Sequence, residues 1–356
     1  MRSRQAARAI TRGDLEMAVC AGCGFVFNVA FDENLLSYGD SYDNTQSWSP
    51  AFEEYVDGLA DELIAQRGVV DSRIVEVGCG KGHFLRRLVS QQSGNTGVGF
   101  DPSYEGELSS FGGRLTFRRR FYDESCADTR ADVVICRHVI EHVSNPMALL
   151  SAVSKALQSS PDARLFFETP CVDWILRNQV IWDFFYEHCS LFTQDSLRTA
   201  FELAGLGVDG IRHVFGDQYL WLEGRMGGAS THAHSQVAAT VAAAHAYAES
   251  ERSLVEAWRS KISKLRAKGG VALWGAGAKG VTFANLMDPD ATEIACVVDL
   301  NPQKQGGFVP GAGHPIVSFE RLPEYGVASA ILMNPNYEAE NRQMLQQAEL
   351  TINLIT

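Results

Sequence analysis

Residues 74–82 read Ile-Val-Glu-Val-Gly-Cys-Gly-Lys-Gly and run on through His83-Phe84-Leu85 into a helix-like stretch. A β-branched run that ends in three glycines and opens a helix predicts a strand–loop–helix unit, the building block of a parallel α/β sheet. With no side chains to hold a ligand off, the loop backbone can press against a nucleoside-bearing cofactor. The carboxylate of Glu76 narrows the choice. Pyrophosphate at a helix N-terminus is anionic, whereas an E-x-G-C-G-x-G loop sets a carboxylate close to a cation, such as the sulfonium and amino groups of S-adenosylmethionine (SAM). Glu76, Gly78, Cys79, Gly80 and Gly82 are therefore the cofactor-binding candidates.

The next stretch supports this reading. Thr96–Asp101 predicts a second strand whose terminal acid, Asp101, lies about twenty residues past the glycine loop, where a ribose-binding carboxylate belongs. Ala131–Cys136 has a buried-strand pattern, His138-Val139-Ile140-Glu141-His142-Val143 follows it, and Asn145-Pro146 opens a helix. Ala163–Pro170 reads as a fifth strand. The fold expected is α/β, with a central doubly wound, Rossmann-like domain. Over residues 74–170 the order of glycine loop, strand-end acid and His-Val-Ile-Glu-His segment resembles the class I SAM-dependent methyltransferases. That resemblance makes His138 and His142 frames of the cofactor pocket.

At 356 residues the chain exceeds one ordinary core and suits two domains with a small appendage. Its net charge of -12 argues against a nucleic-acid partner, because neutralising phosphates takes a basic surface, and the densest basic group is only Arg118-Arg119-Arg120. No apolar run approaches the ~20 residues that span a bilayer, and the N-terminus lacks a secretory core, so a cytoplasmic protein with no membrane partner is expected. Cysteines such as Cys136, Cys171 and Cys296 sit in apolar strands and read as small buried hydrophobes.

Cys20-Ala21-Gly22-Cys23-Gly24 is a C-x-x-C-G knuckle, where two thiolates on a tight turn can chelate one metal. A closed structural zinc takes four ligands, and the nineteen residues before Cys20 hold no cysteine or histidine, so Cys20 and Cys23 make an incomplete zinc site. The polar and aromatic stretches Phe31–Tyr38 and Tyr42–Ser47 suggest a lid over the cofactor that contributes tyrosines. The divisions expected are residues 1–50 for the partial ribbon and lid, 51–230 for the SAM domain, 231–268 for a helical linker and 269–356 for a second Rossmann-like unit.

That second unit opens on Val271-Ala272-Leu273-Trp274-Gly275-Ala276-Gly277-Ala278-Lys279-Gly280, again strand, G-x-G-x-x-G and helix, with Cys296-Val297-Val298-Asp299 as a later strand ending in an acid. Upstream, Trp182–Phe192 gathers aromatic rings around Glu187 and His188 just after a strand, where open α/β sheets place their crevice. A base in such a dry setting can be tuned for proton transfer near neutral pH.

From Cys20 onward the layout resembles the nucleotide-sugar C-methyltransferases: a cysteine knuckle, a central SAM domain, a Glu-His segment after the fifth strand, and a C-terminal Rossmann-like domain with a W-G-A-G-x-K-G loop. The resemblance implies deoxysugar biosynthesis on a nucleotide-linked keto sugar, with a histidine removing a proton from the carbon beside a 4-keto group. By position it assigns Glu187 and His188 to the chemistry, and Tyr186, Gly275, Gly277 and Lys279 to the substrate, Lys279 as a point charge for a phosphate. Two features depart from the family. The first cysteine pair is missing, and its Tyr-x-Glu-His reads Phe185-Tyr186-Glu187-His188 here. Three other classes stay open: O- or N-methylation of a related small molecule, NAD(P)-dependent oxidation through the second glycine loop, and non-catalytic binding of a sugar nucleotide.

Overall fold

The computed structural model describes residues 1–36, 48–90, 94–126, 128–228 and 236–356. Two N-terminal strands, β1 (Met17–Val19) and β2 (Val26–Asn28), form a hairpin around the cysteine knuckle. The central sheet follows with β3 (Arg73–Val77), β4 (Thr96–Phe100), β5 (Ser109–Ser110), β6 (Leu115–Arg118), β7 (Val133–Arg137) and β8 (Arg164–Pro170). A short β9 (Ser190–Leu191) joins the N-terminal hairpin, and β10 (Leu206–Val214) and β11 (Tyr219–Met226) return to the central sheet. The C-terminal sheet comprises β12 (Gly270–Trp274), β13 (Cys296–Val298), β14 (Ile316–Val317), β15 (Val327–Leu332) and β16 (Asn353–Ile355).

The central strand order is β10-β11-β8-β7-β3-β4-β6-β5. The five inner strands, β6 to β8, run parallel, and antiparallel strands close each edge. From β3 the chain winds outward through β4 and β6, then returns beside β3 as β7 and winds the other way through β8, so the fold is the expected doubly wound α/β. The reversal leaves a crevice at the carboxyl ends of β3 and β7. Strands covered on two faces carry apolar residues at nearly every position. In β3, Ile74 packs with Phe84, Leu85 and Leu88 of the helix His83–Ser90, while Val75 and Val77 face the opposite layer with Val134, Cys136 and Leu165. The strand β6 and the hairpin β10–β11 carry no motif, and the sequence reading passes over them.

The C-terminal sheet, β14-β13-β12-β15-β16, is parallel throughout and repeats the same logic, with its reversal at β12. The helix Val237–Arg266 leads into it, and no helix among the described residues is long and apolar enough to cross a membrane. The N-terminal helix Arg4–Arg8 docks on this C-terminal unit, since Gly311 N–H donates to Ala7 O (2.8 Å) and Phe308 N–H to Met1 O (2.8 Å). Most of the anticipated lid, residues 37–47, lies outside the described residues.

Three rings tie the two sheets together. Trp182, Trp258 and Phe283 meet pairwise at 5.3, 5.1 and 5.3 Å between centroids, and Trp182 Nε1 donates to Met333 O at 3.1 Å. They come from the turn Ile181–Asp183, the long helix and the helix Ala278–Met287. Phe283 is fully buried. Phe283→Ala should therefore destabilise the protein by about 3–5 kcal/mol through lost burial and a cavity among the rings, read from the midpoint of urea unfolding. A loss below about 1 kcal/mol would show that the junction contributes little.

Candidate functional site

The glycine loop between β3 and its helix is pinned to β4. Gly78 and Cys79 N–H donate to Phe100 O at 2.8 and 3.1 Å, and Gly82 N–H donates to Cys79 O at 2.7 Å. Gly78 and Gly82 are obligatory twice over. Each has positive φ, and a Cβ would lie 2.2 Å from Val139 Cγ2 in the first case and 2.4 Å from the Phe117 ring in the second. Gly80 also has positive φ (+52°), but the space in front of it is open. Its N–H donates to Asp101 Oδ2 at 2.8 Å, while Asp101 Oδ1 accepts from Ser103 N–H (2.8 Å) and Oγ (2.6 Å).

Glu76 is only 4% exposed, and its Oε2 has no partner among the described residues. Burial raises its carboxyl to about 8, against the pull of Arg137. An orphaned buried carboxylate oxygen, an open glycine corner and a strand-end acid fit a nucleoside that carries a cation. The Cys79 thiol is buried, raised by desolvation and turned against Gly99, which agrees with a loop that offers backbone and not side chains to a ligand.

Between this crevice and the C-terminal unit lies a cavity of about 260 Å³. His138, Glu141, His142 and His188 line its sheet side, and Trp274, Lys279, Asn334 and Glu340 line the far side. His138 ends β7 with φ +53°, sits 3.2 Å (Nδ1) from Glu141 and 3.5 Å (Nε2) from Glu168, and meets the Tyr219 ring edge-on at 4.6 Å. Glu168 is fully buried and is gripped by the Tyr55 hydroxyl and by Arg137 Nε at 2.6 Å. Burial by itself would lower His138, but Glu168 and Glu141 overcome it and raise the imidazole to about 9. His188 goes the opposite way. Burial drives it well below 6.5, reinforced by His142, His138 and Lys279, so at neutral pH it is an uncharged imidazole. Its ring packs on Phe185 at 3.9 Å and edge-on to His142 at 4.7 Å. Ligand atoms of Glu141, His142 and His188 lie within 4.8 Å of one another, a spacing that could hold a cation.

The other sequence candidates divide. Gly275 (φ +118°) and Gly277 line the cavity at the start of the C-terminal helix, and a Cβ on Gly280 would lie 1.8 Å from Gly275 O. Lys279 is on the cavity wall but is not a free point charge: its ammonium is 2.7 Å from Asp183 Oδ1 and 3.3 Å from Gln218 Oε1. Tyr186 is corrected outright. Its hydroxyl bonds the Asp32 backbone (N–H donor 2.7 Å), its ring packs on Phe31, and neither it nor Glu187 is among the described residues that line the cavity. At the knuckle, backbone N–H groups of Gly22 and Cys23 lower the Cys20 thiol, while burial raises Cys23. No third metal ligand joins them among the described residues. Glu141 and His142 stood in a visible motif as framing only, and Tyr55, Glu168 and Glu340 had no signal at all.

Residues 48–209 match the profile of a methyltransferase domain family, and residues 230–352 match that of a C-methyltransferase C-terminal domain. C-methyltransferase NovU of Streptomyces niveus is 28% identical over 361 aligned positions, which cover 92% of this chain and 81% of NovU. The ubiquinone biosynthesis O-methyltransferase of Yersinia enterocolitica is 29% identical over 138 residues, 36% of this chain and 53% of that protein, so the chain spans about half the length of that relative. Among solved structures, 1,6-didemethyltoxoflavin-N1-methyltransferase of Burkholderia thailandensis, bound to 1,6-didemethyltoxoflavin and S-adenosylhomocysteine, superposes at a TM-score of 0.37 with 15% identity over 51% of this chain and 82% of that one. SAM is the cofactor of the central domain.

Two consequences are measurable by calorimetry. Asp101→Ala should weaken SAM by about 1–3 kcal/mol, since the ribose hydroxyls and Gly80 N–H lose an anionic acceptor; unchanged affinity would remove Asp101 from the site. In the ligand-free protein at pH 7 the Glu76 carboxyl, at about 8, holds its proton, and a cation binds the ionised form. SAM binding should then release a proton, seen as an enthalpy that varies with buffer ionisation heat, and affinity should rise with pH up to about 8. Glu76→Gln should abolish the buffer dependence. A wild-type enthalpy independent of buffer would contradict this role.

Proposed function

We infer that this chain, a SAM-dependent methyltransferase by its two matched domains, methylates carbon next to a ketone, on a nucleotide-linked keto sugar. The observation that carries the reading is the placement of His188, packed between Phe185 and His142, on the wall of a cavity shared by the SAM domain and the C-terminal unit, where burial also lowers its imidazole well below the ordinary value. A carbon beside a ketone is a poor nucleophile until it loses a proton. His188, held neutral, takes that proton, and the electron pair moves onto the ketone oxygen as an enolate. The imidazolium of His138 on the same wall offers a positive group to the enolate oxygen. The carbon then attacks in line, and SAM supplies a methyl group already activated by its positive sulfur. A histidine above neutrality beside one far below it is the usual sign of divided acid and base duties.

The nucleotide end of the proposal rests on the C-terminal glycine loop. Gly275 and Gly277 bring backbone to the cavity at the N-terminus of the helix Ala278–Met287, where amide groups and helix dipole favour a phosphate. Lys279 and Lys304 have carboxylate neighbours in Asp183 and Asp299, so the backbone is the main anion-binding element. Glu187, lying off the described cavity wall, is kept as a group that orients the His188 loop.

Incubation in deuterated water with S-adenosylhomocysteine and a nucleoside diphosphate 4-keto-6-deoxyhexose should exchange one sugar hydrogen. His188→Ala should abolish that exchange and lower methyl transfer by about 10²–10⁴-fold while SAM still binds. The wild-type rate should show no acid limb from His188 near the ordinary histidine value of 6.5, because that group is already deprotonated there. Methylation that proceeds without exchange and without His188 would move the acceptor to oxygen or nitrogen.

A further inference from the structure

The cavity's far wall carries a carboxylate that the reaction just described does not use. Glu340 stands in the first turn of the helix Glu338–Gln347. Its Oε2 is fixed by two donors from the other unit, Ser49 Oγ at 2.8 Å and Ala51 N–H at 2.9 Å, at the N-terminus of the helix Pro50–Ala65. Its Oε1 is buried and has no hydrogen-bond partner among the described residues. With one oxygen clamped, the carboxylate cannot turn to satisfy the other from the protein. A buried acceptor left empty costs about 1–3 kcal/mol, more for a charged group, so the site calls for a donor from a ligand.

The charge balance of the cavity says what kind of donor. Its described lining holds four carboxylates, Glu141, Asp183, Asp299 and Glu340, against two lysines, the His138 imidazolium and no arginine. Lys279 is spent on Asp183 and Lys304 lies 3.6 Å from Asp299, while Glu141 bonds His138 and Thr169. Among the described residues Glu340 is left without a cation. Trp48 and Tyr337 also line the cavity, and aromatic side chains there favour a cation over a neutral hydroxyl. The place is connected to the chemistry by a run of rings: His138 to Tyr219 (4.6 Å), Tyr219 to Phe215 (5.2 Å) and Phe215 to Tyr337 (6.0 Å).

We propose that Glu340 is a specificity-determining residue that receives a protonated amine of the substrate, so that the acceptor molecule is an amino-bearing sugar. This rests on the keto-sugar reading above for the sugar, though not for the amine. The test uses two unreactive pairs that differ in an ammonium for a hydroxyl, UDP-glucosamine with UDP-glucose and free glucosamine with glucose. Binding is measured by saturation-transfer NMR and calorimetry in the presence of S-adenosylhomocysteine. Wild-type protein should favour the amine member about tenfold or more, equivalent to about 1.4 kcal/mol. Glu340→Gln, which can still accept from Ser49 and Ala51 while presenting an amide N–H to the cavity, should erase that preference and leave SAM affinity unchanged.

UDP-sugars that bind without any preference would overturn the amine site and leave the nucleotide-sugar reading standing. Preference for glucosamine with no binding of either UDP-sugar would keep the amine site and remove the nucleotide. An equal loss of both members in Glu340→Gln, with wild-type preference absent, would reduce Glu340 to the clamp it forms with Ser49. Glu340→Asp, which keeps the charge but draws it back, should retain a smaller preference, and full loss there alongside normal folding would assign the effect to the clamp and overturn the proposal.

Discussion

The carboxylate of Glu168 is the point on which the site turns. It is fully buried at the carboxyl end of β8, where an unpaired anion would be prohibitively costly. Three groups from three places meet it: the Tyr55 hydroxyl from the helix Pro50–Ala65, Arg137 from the end of β7, and His138 one residue on. Arg137 and His138 hold Glu168 down to about 2, so the charge is permanent at any working pH. Its reciprocal effect on His138 is the imidazolium that faces the cavity, and that imidazolium in turn helps to keep His188 neutral. One buried anion therefore raises His138 directly and, through it, adds to the burial and the His142 neighbour that lower His188 fifty positions away.

The two sheets solve the problem of holding a glycine loop in the same way. In the central unit Asp101, just past the end of β4, accepts from Gly80 N–H with one oxygen and from Ser103 N–H two residues on with the other. In the C-terminal unit Asp299, just past the end of β13, accepts from Ala276 N–H at 2.9 Å and from Asn301 N–H two residues on at 2.8 Å. A flexible loop closed by a strand-end acid is preorganised without side chains of its own, which keeps its backbone available to a ligand. The units differ in what surrounds the loop. The first keeps a buried acid, Glu76, with one oxygen unpartnered among the described residues, while the second pairs its lysines with acids.

How much of this was legible follows from where the signal sits. Glycine loops, strand-end acids and βαβ spacing are local patterns, so the doubly wound sheet, its glycine loop and the second unit could be read directly from residues 74–170 and 271–299. His188 stood out in the sequence because aromatic residues crowd around it, and it lies on the cavity wall. Tyr186 and Glu187 shared that crowding, yet Tyr186 packs on Phe31 and bonds the Asp32 backbone, partners more than 150 positions away. Lys279 was misjudged because its neutralising partner, Asp183, is 96 positions away. Tyr55, Glu168 and Glu340 have meaning only through pairings across 113 and 291 positions, and no periodicity or motif encodes those.

The N-terminal knuckle then acquires a role that needs no metal to state. Its turn is closed by backbone bonds, Cys20 N–H to Phe25 O at 2.7 Å and Gly24 N–H to Cys20 O at 2.8 Å, and its second strand pairs with β9 directly after His188. Asn28 N–H donates to Cys189 O at 3.0 Å, Ser190 Oγ donates to Val143 O at 2.8 Å, and the Cys189 thiol points at Glu141 O. The loop that carries His188 is thus stapled on one side to the hairpin and on the other to the His138–Val143 segment. Both staples lie within three residues of His188, and together they fix the distance between His142 and His188. The geometry that the knuckle imposes on the His188 loop is carried by strand pairing, which depends on backbone rather than on ligand identity.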